Sequence, residues 1–219
     1  MKVVSDTSPL LAFAKLGWLG LLSEIFDKVL IPRAVLEEVR TKRDAALTQL
    51  NTLVEEGFVE VVDADENLSA RLHGVVDRGE AEALALALET NVPVMLDDKC
   101  ARKLARELAV ETFGTLSVLR TLLNTGHLSL SKEELFAKLM SVNFRISRAV
   151  FDEAFKETER RNRGLAVNKG ERRRGARKTK TANGKSKRKE KPRFFYLLYR
   201  LSPNSLSTLT LKVNYCVDT

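Results

Sequence analysis

Short apolar runs separated by helical segments constrain the fold of this chain more than any other feature. They are Val3-Val4, Lys28–Ile31, Phe58–Val62, Val92–Leu96 and Val110–Phe113. Each is long enough only for a short strand. Strands separated by helices do not pair as hairpins; they align in parallel and bury both faces under helices. The predicted class is therefore α/β, three layers deep, with a central parallel sheet of about five strands.

The helical segments carry their own boundary signals. Ser8 reads as an N-cap with Pro9 set for the first turn, and the helix over Leu10–Leu16 stops at Gly17. Leu19–Phe26 is a second short helix, and Pro32 opens another. Asp44 caps a helix whose Leu47, Leu50, Leu53 and Val54 share one face, closed by Gly57. Leu68–Val76 is helical, and Gly79–Glu89 is strongly apolar and helical. Ala101, Leu104, Ala105 and Leu108 line one helical face. Gly114-Thr115 starts the next helix, Ser131 with Glu134 fits a capping box, and Ser147 caps a last helix through Phe155. Leu116, Leu119, Leu122 and Leu123 read as core or as a dimer face.

In parallel sheets of this kind ligands bind beyond the carboxyl ends of the strands. Asp6 and the Asp97-Asp98 pair fall there. Two more acids are placed by helical geometry, at about 100° per residue. Glu80 shares the face of Ala83, Leu84, Ala87 and Leu88, whereas Glu82 lies opposite and reads as solvated. Glu38 borders the face of Ala34, Val35 and Val39, while Glu37 points away with Arg40. Taken singly, each acid has an ordinary explanation: a helix start, a surface residue, an Asx-turn, a cap. Together they recur at equivalent places of the topology. Gathering buried carboxylates costs several kcal/mol each unless a counter-charge is present. Oxygen-only donors suit Mg²⁺ or Mn²⁺ rather than zinc, and such ions support in-line phosphodiester hydrolysis.

Thr7 stands beside Asp6 and could meet a phosphate oxygen. Lys99, Arg102, Lys103 and Arg106 follow Asp98 and form either a path for a polyanion or a solvated helix face. His73 and His127 have no metal-ligand spacing and read as structural, and Cys100 and Cys216 form no zinc pattern.

The net charge of +8 conceals a division. Residues 1–159 hold 19 Lys+Arg against 26 Asp+Glu, and residues 160–193 hold 16 against 2. The body is mildly acidic and the basic excess is concentrated in one low-complexity stretch. Three parts are expected: a folded domain over 1–158, a basic and disordered tail over 159–193, and a short element over 194–219. No run reaches the roughly 20 apolar residues of a membrane span, and the N-terminus lacks signal-peptide character. A cytoplasmic location is expected.

The chain resembles the PIN-domain proteins, most closely the VapC-like branch of toxin–antitoxin ribonucleases. The resemblance rests on Val3–Leu10, Ile31–Val39, Gly79–Ala83 and Val94–Asp98, with Phe113–Leu116 also similar. It covers about residues 1–158. It implies an acidic pocket that binds Mg²⁺ or Mn²⁺ and cleaves single-stranded RNA. By position Asp6, Glu38, Glu80 and Asp98 match the family's catalytic and metal-binding acids, with Asp97 assisting. Glu80 stands where many members carry aspartate, one methylene shorter. The resemblance also implies a homodimer and a small antitoxin protein as partner.

Two competing readings remain open at the level of sequence. One is a PIN-fold RNA-binding protein with weak or no cleavage, aided by the basic tail. The other is a phosphohydrolase of the haloacid-dehalogenase type, which wants a second acid two residues after the first, where this chain has Ser8.

Overall fold

A computed structural model describes residues 1–42 and 45–156. Asp44, the basic segment 159–193 and the terminal segment 194–219 lie outside the described residues.

Within them the expected parallel sheet is present. Strands β1 (Lys2–Ser5), β2 (Lys28–Pro32), β3 (Val59–Val62), β4 (Val94–Met95) and β5 (Thr112–Phe113) form one sheet in the order β3-β2-β1-β4-β5. Every neighbouring pair is parallel. The order reverses at β1, so the gap beyond the ends of β1 and β4 is the topological switch point, where open α/β sheets bind ligands. Asp6 and Asp97-Asp98 leave the sheet at that gap.

Alternation along each strand divides the core between the two faces. Val3, Val29, Ile31 and Met95 pack into one cluster with Phe13, Leu50, Leu119 and Leu122. Val4, Leu30, Val94 and Leu96 pack into the other with Leu84, Leu86, Ala101 and Leu104. The first cluster engages α1 (Thr7–Lys15), α2 (Arg33–Lys42), α3 (Ala45–Glu55), α7 (Thr115–Thr125) and α8 (Lys132–Ser141). The second engages α4 (Glu66–Leu72), α5 (Arg78–Thr90) and α6 (Lys99–Glu107). A last helix, α9 over 148–156, begins at Ser147, whose hydroxyl accepts the Val150 amide proton at 3.3 Å. It inserts Phe151 and Phe155, both fully buried, into the first cluster. Each such ring contributes about 1.5–3 kcal/mol on burial, which makes α9 an integral part of the domain.

Several local expectations are corrected. Asp6, not Ser8, is the N-cap of α1: its side chain accepts from the Ser8 amide. Leu19–Glu24 is a 3₁₀ helix, not an α-helix. Strands β4 and β5 are two residues each, shorter than their apolar runs. Pro93 precedes β4; its carbonyl accepts the Val4 amide on the β1 side, and it has no N–H to extend the ladder toward β1. Leu119 and Leu122 are fully buried within this chain, and Leu116 and Leu123 pack half-buried against the same cluster. Among the described residues, no helix is long and apolar enough to cross a membrane.

Candidate metal centre

The site is assembled from the strand ends outward. Asp6 is the first residue after β1, and its amide donates to the Met95 carbonyl at 3.1 Å. Only 4% of its surface is exposed. Burial pushes its carboxyl from 3.8 up to about 6, against the downward pull of the Thr7 and Ser8 amides; the Glu38 and Asp97 charges add to the rise.

Thr7 is buried, and its hydroxyl donates to Glu38 Oε2 at 2.7 Å. This bond aims the otherwise exposed Glu38 of α2 at the end of β1. The first turn of α5 closes over the pair. A Cβ built on Gly79 would lie 3.3 Å from Asp6 Oδ1, 3.6 Å from Glu38 Oε2 and 3.8 Å from Thr7 Oγ1. Only a residue without a side chain leaves that space open.

Glu80 follows Gly79, half-buried. It closes a capping box, its Oε2 accepting the Asp77 amide at 3.2 Å. Burial, then repulsion from Asp6 and Asp98, push its carboxyl up to about 7 despite the Asp77 amide. Asp98 is exposed and caps α6, its Oδ1 accepting the Ala101 amide at 2.9 Å. Asp97 is half-buried and held at both oxygens by Thr115, at 2.8 Å by the amide and 2.6 Å by the hydroxyl. Burial raises its carboxyl above the ordinary range, opposed by the two Thr115 bonds and by Arg102.

The five acids expected from the sequence thus surround one region. Asp6 repels Glu38, Asp97 and Glu80, and Glu80 also repels Asp98. Their local bonds hold them apart: among the described residues, no three His, Cys, Asp or Glu side chains group closely enough to ligate one ion directly. The donor set itself fits a divalent cation. It contains carboxylates but neither histidine nor cysteine, and its mutual repulsion leaves it short of positive charge. Mg²⁺ and Mn²⁺ accept such hard oxygens, and Mg²⁺ characteristically uses one or two carboxylates and keeps several waters. Of the residues expected to meet RNA, Lys99 is exposed and Arg102 half-buried beside Asp97, whereas Thr7 lies behind Glu38.

Three participants escape a reading of the sequence alone. Gly79 is one, and nothing but its place before Glu80 marks it. Thr115 is another, and strand register is the signal: Met95 pairs with Phe113, which sets Asp97 and Thr115, each two residues on, side by side. Glu82 is the third. It was expected to be solvated, yet its side chain is only 15% exposed. It accepts the Ala34 amide at 3.0 Å, capping the start of α2, and pairs with Arg78 at 2.9 Å.

The PIN-domain profile matches residues 2–160. No functionally curated protein matches the chain. Among solved structures, a PilT N-terminus domain protein from the hyperthermophilic archaeon Sulfolobus solfataricus P2 is similar at 22% identity and a TM-score of 0.40, covering 55% of this chain and 92% of that one. PIN domains are generally metal-dependent nucleases. With a family profile spanning most of its length and a parallel sheet whose switch point is ringed by acids, the chain belongs to the PIN-domain family.

Proposed function

We propose that this protein is a divalent-metal-dependent endoribonuclease that hydrolyses phosphodiester bonds in RNA, acting in the cytoplasm as the toxin of a type II toxin–antitoxin pair. The observation that supports the reading is that Asp6, Glu38, Glu80, Asp97 and Asp98 surround one region beyond the ends of β1 and β4, near enough to repel one another. Asp6, Glu38, Glu80 and Asp98 are assigned as the acids that hold Mg²⁺ or Mn²⁺, with Asp97 assisting. Bound there, such an ion lowers the pKa of water and offsets charge on the leaving oxygen. The chain's own residues supply orientation: Thr7 holds Glu38, Thr115 holds Asp97, and Gly79 keeps the space before Asp6 open. Residues 1–158 are assigned as the nuclease domain. A small antitoxin protein and self-association into a homodimer belong to the same proposal.

The test is cleavage of end-labelled RNA by the full-length chain in EDTA, Mg²⁺ and Mn²⁺. Cleavage is expected only with metal and is expected to vanish in Asp6→Asn. The alternative, a PIN-fold RNA-binding protein with weak or no cleavage, draws support from the engagement of Glu80 in a capping box and Asp98 in a cap. RNA binding without metal-dependent cutting would favour it.

A further inference from the structure

A groove of about 460 Å³ opens beside Asp97, between α6, α7 and the segment that leads into α9. That volume lies within the roughly 300–1,000 Å³ typical of ligand pockets. Its charge is opposite to that of its surroundings. Residues 1–159 carry a net negative charge, yet Lys99, Arg102, Arg120 and Arg145 all line this one groove, with Asp97 as its sole lining carboxylate among the described residues.

The four cations are not alike. Arg120 donates to the Ala154 carbonyl at 3.0 Å and so ties α7 to α9. Arg102 lies beside Asp97. Lys99 and Arg145 are exposed, and neither makes an ion pair among the described residues. Like charges gathered without partners destabilise a surface unless a ligand neutralises them. The lining also has an aromatic residue: Phe144 is half-buried against the core and lines the groove. Cations around an aromatic surface are the combination that holds single-stranded nucleic acid, phosphates on the charges and a base on the ring. A duplex keeps its bases stacked inside and cannot offer one to Phe144.

We propose that this groove seats one unpaired nucleotide of the RNA strand next to the acidic centre, its base against Phe144 and its neighbouring phosphates at Lys99 and Arg145. This deepens the ribonuclease reading and rests on it for the identity of the strand. Asp97 joins the two regions, since it lines the groove and its charge acts on Asp6.

The test is equilibrium binding of the full-length chain to a labelled, unstructured oligoribonucleotide in EDTA, with cleavage in Mn²⁺ measured separately on the same preparations. Wild type, Phe144→Leu and Arg145→Glu are compared, on the intact strand, on strands with one abasic residue at successive positions, and on a duplex. Phe144→Leu is expected to weaken single-strand binding about fivefold or more and to leave duplex binding unchanged. At one abasic position the wild type is expected to lose the same amount, with no further loss in the variant, an effect the basic tail cannot produce. Arg145→Glu is expected to reduce the slope of log K against log salt by about 0.7. Arg145 is exposed, so this variant decides the matter if Phe144→Leu fails to fold. Wild-type affinity in both variants overturns the proposal, even if cleavage is intact. Loss of self-association with RNA affinity unchanged also overturns it and assigns the groove to a protein partner. Phe144-dependent binding without any cleavage keeps the groove and removes the nuclease reading.

Discussion

Asp6 ties the site to the stability of the molecule. Its folded-state pKa is raised, so in the absence of a cation its contribution to stability is present below about pH 4 and is lost as pH rises toward about 6. Glu80 extends the same loss toward about 7. For Asp6 the shift corresponds to something on the order of 3 kcal/mol. Asparagine caps a helix as well as aspartate does, so Asp6→Asn keeps the acceptor for the Ser8 amide and removes only the charge. In EDTA at pH 8 the variant should melt higher than wild type, and at pH 5 the difference should shrink. Mn²⁺ should raise the wild-type melting temperature at pH 8 and leave the variant unchanged. A variant that melts lower than wild type at pH 8 without metal would contradict the assignment of a strained, buried charge. Gly79 separates function from folding in the same place. Its φ is not in the left-handed region and alanine favours helices, so Gly79→Ala should fold with little change in melting temperature. Its methyl would nonetheless press on Asp6 Oδ1, and metal-dependent cleavage should fall at least about tenfold, the cost of roughly 1.4 kcal/mol of lost transition-state stabilisation.

Between elements, register carries the information that single residues lack. Because β4 and β5 pair Met95 with Phe113, Thr115 at the start of α7 meets Asp97 at the end of β4. Thr115→Val keeps the shape and the amide bond but removes the 2.6 Å hydroxyl bond. Unfolding in urea should show a loss of about 1–2 kcal/mol, cleavage should weaken, and Thr115→Ser should restore both. Equal stability in all three proteins would show that the hydroxyl bond is idle. The same logic explains what was legible beforehand. The strand-to-helix alternation and the acids after β1 and β4 could be read directly, because a parallel sheet brings its strand ends to one edge wherever the helices lie. Glu80 could be read because its face is set by its own helix. Glu82 could not: a helical wheel sees only its own helix, and the group that draws Glu82 inward is the unsatisfied amide of Ala34 at the start of α2. The cap of α1 was displaced by two residues for a related reason, since Asp6 and Ser8 are both good caps and the Met95 carbonyl holds the Asp6 amide in extended backbone.

At the scale of the whole molecule, charge is divided between an acidic body and a basic segment. The body carries 19 basic against 26 acidic residues, and residues 160–193 carry 16 against 2. Across the roughly 8 Å over which charges act at physiological salt, the body's excess would slow approach to the acidic centre everywhere except at the groove beside Asp97. A basic segment would offset this by holding RNA near the domain through many weak phosphate contacts, each contributing about 0.7 to the salt slope. The PIN-domain match ends at residue 160, and the buried Phe151 and Phe155 lie before it, so deleting residues 160–219 should leave the domain folded. The truncated chain should still cut RNA with metal, but bind it more weakly, and its salt slope should fall by several times the change expected for Arg145→Glu alone. The effect of Phe144→Leu should survive the truncation unchanged, because stacking of a base and phosphate contacts made by other residues add independently. If affinity and slope are the same with and without residues 160–219, the segment does not hold RNA, and recruitment falls to the groove alone.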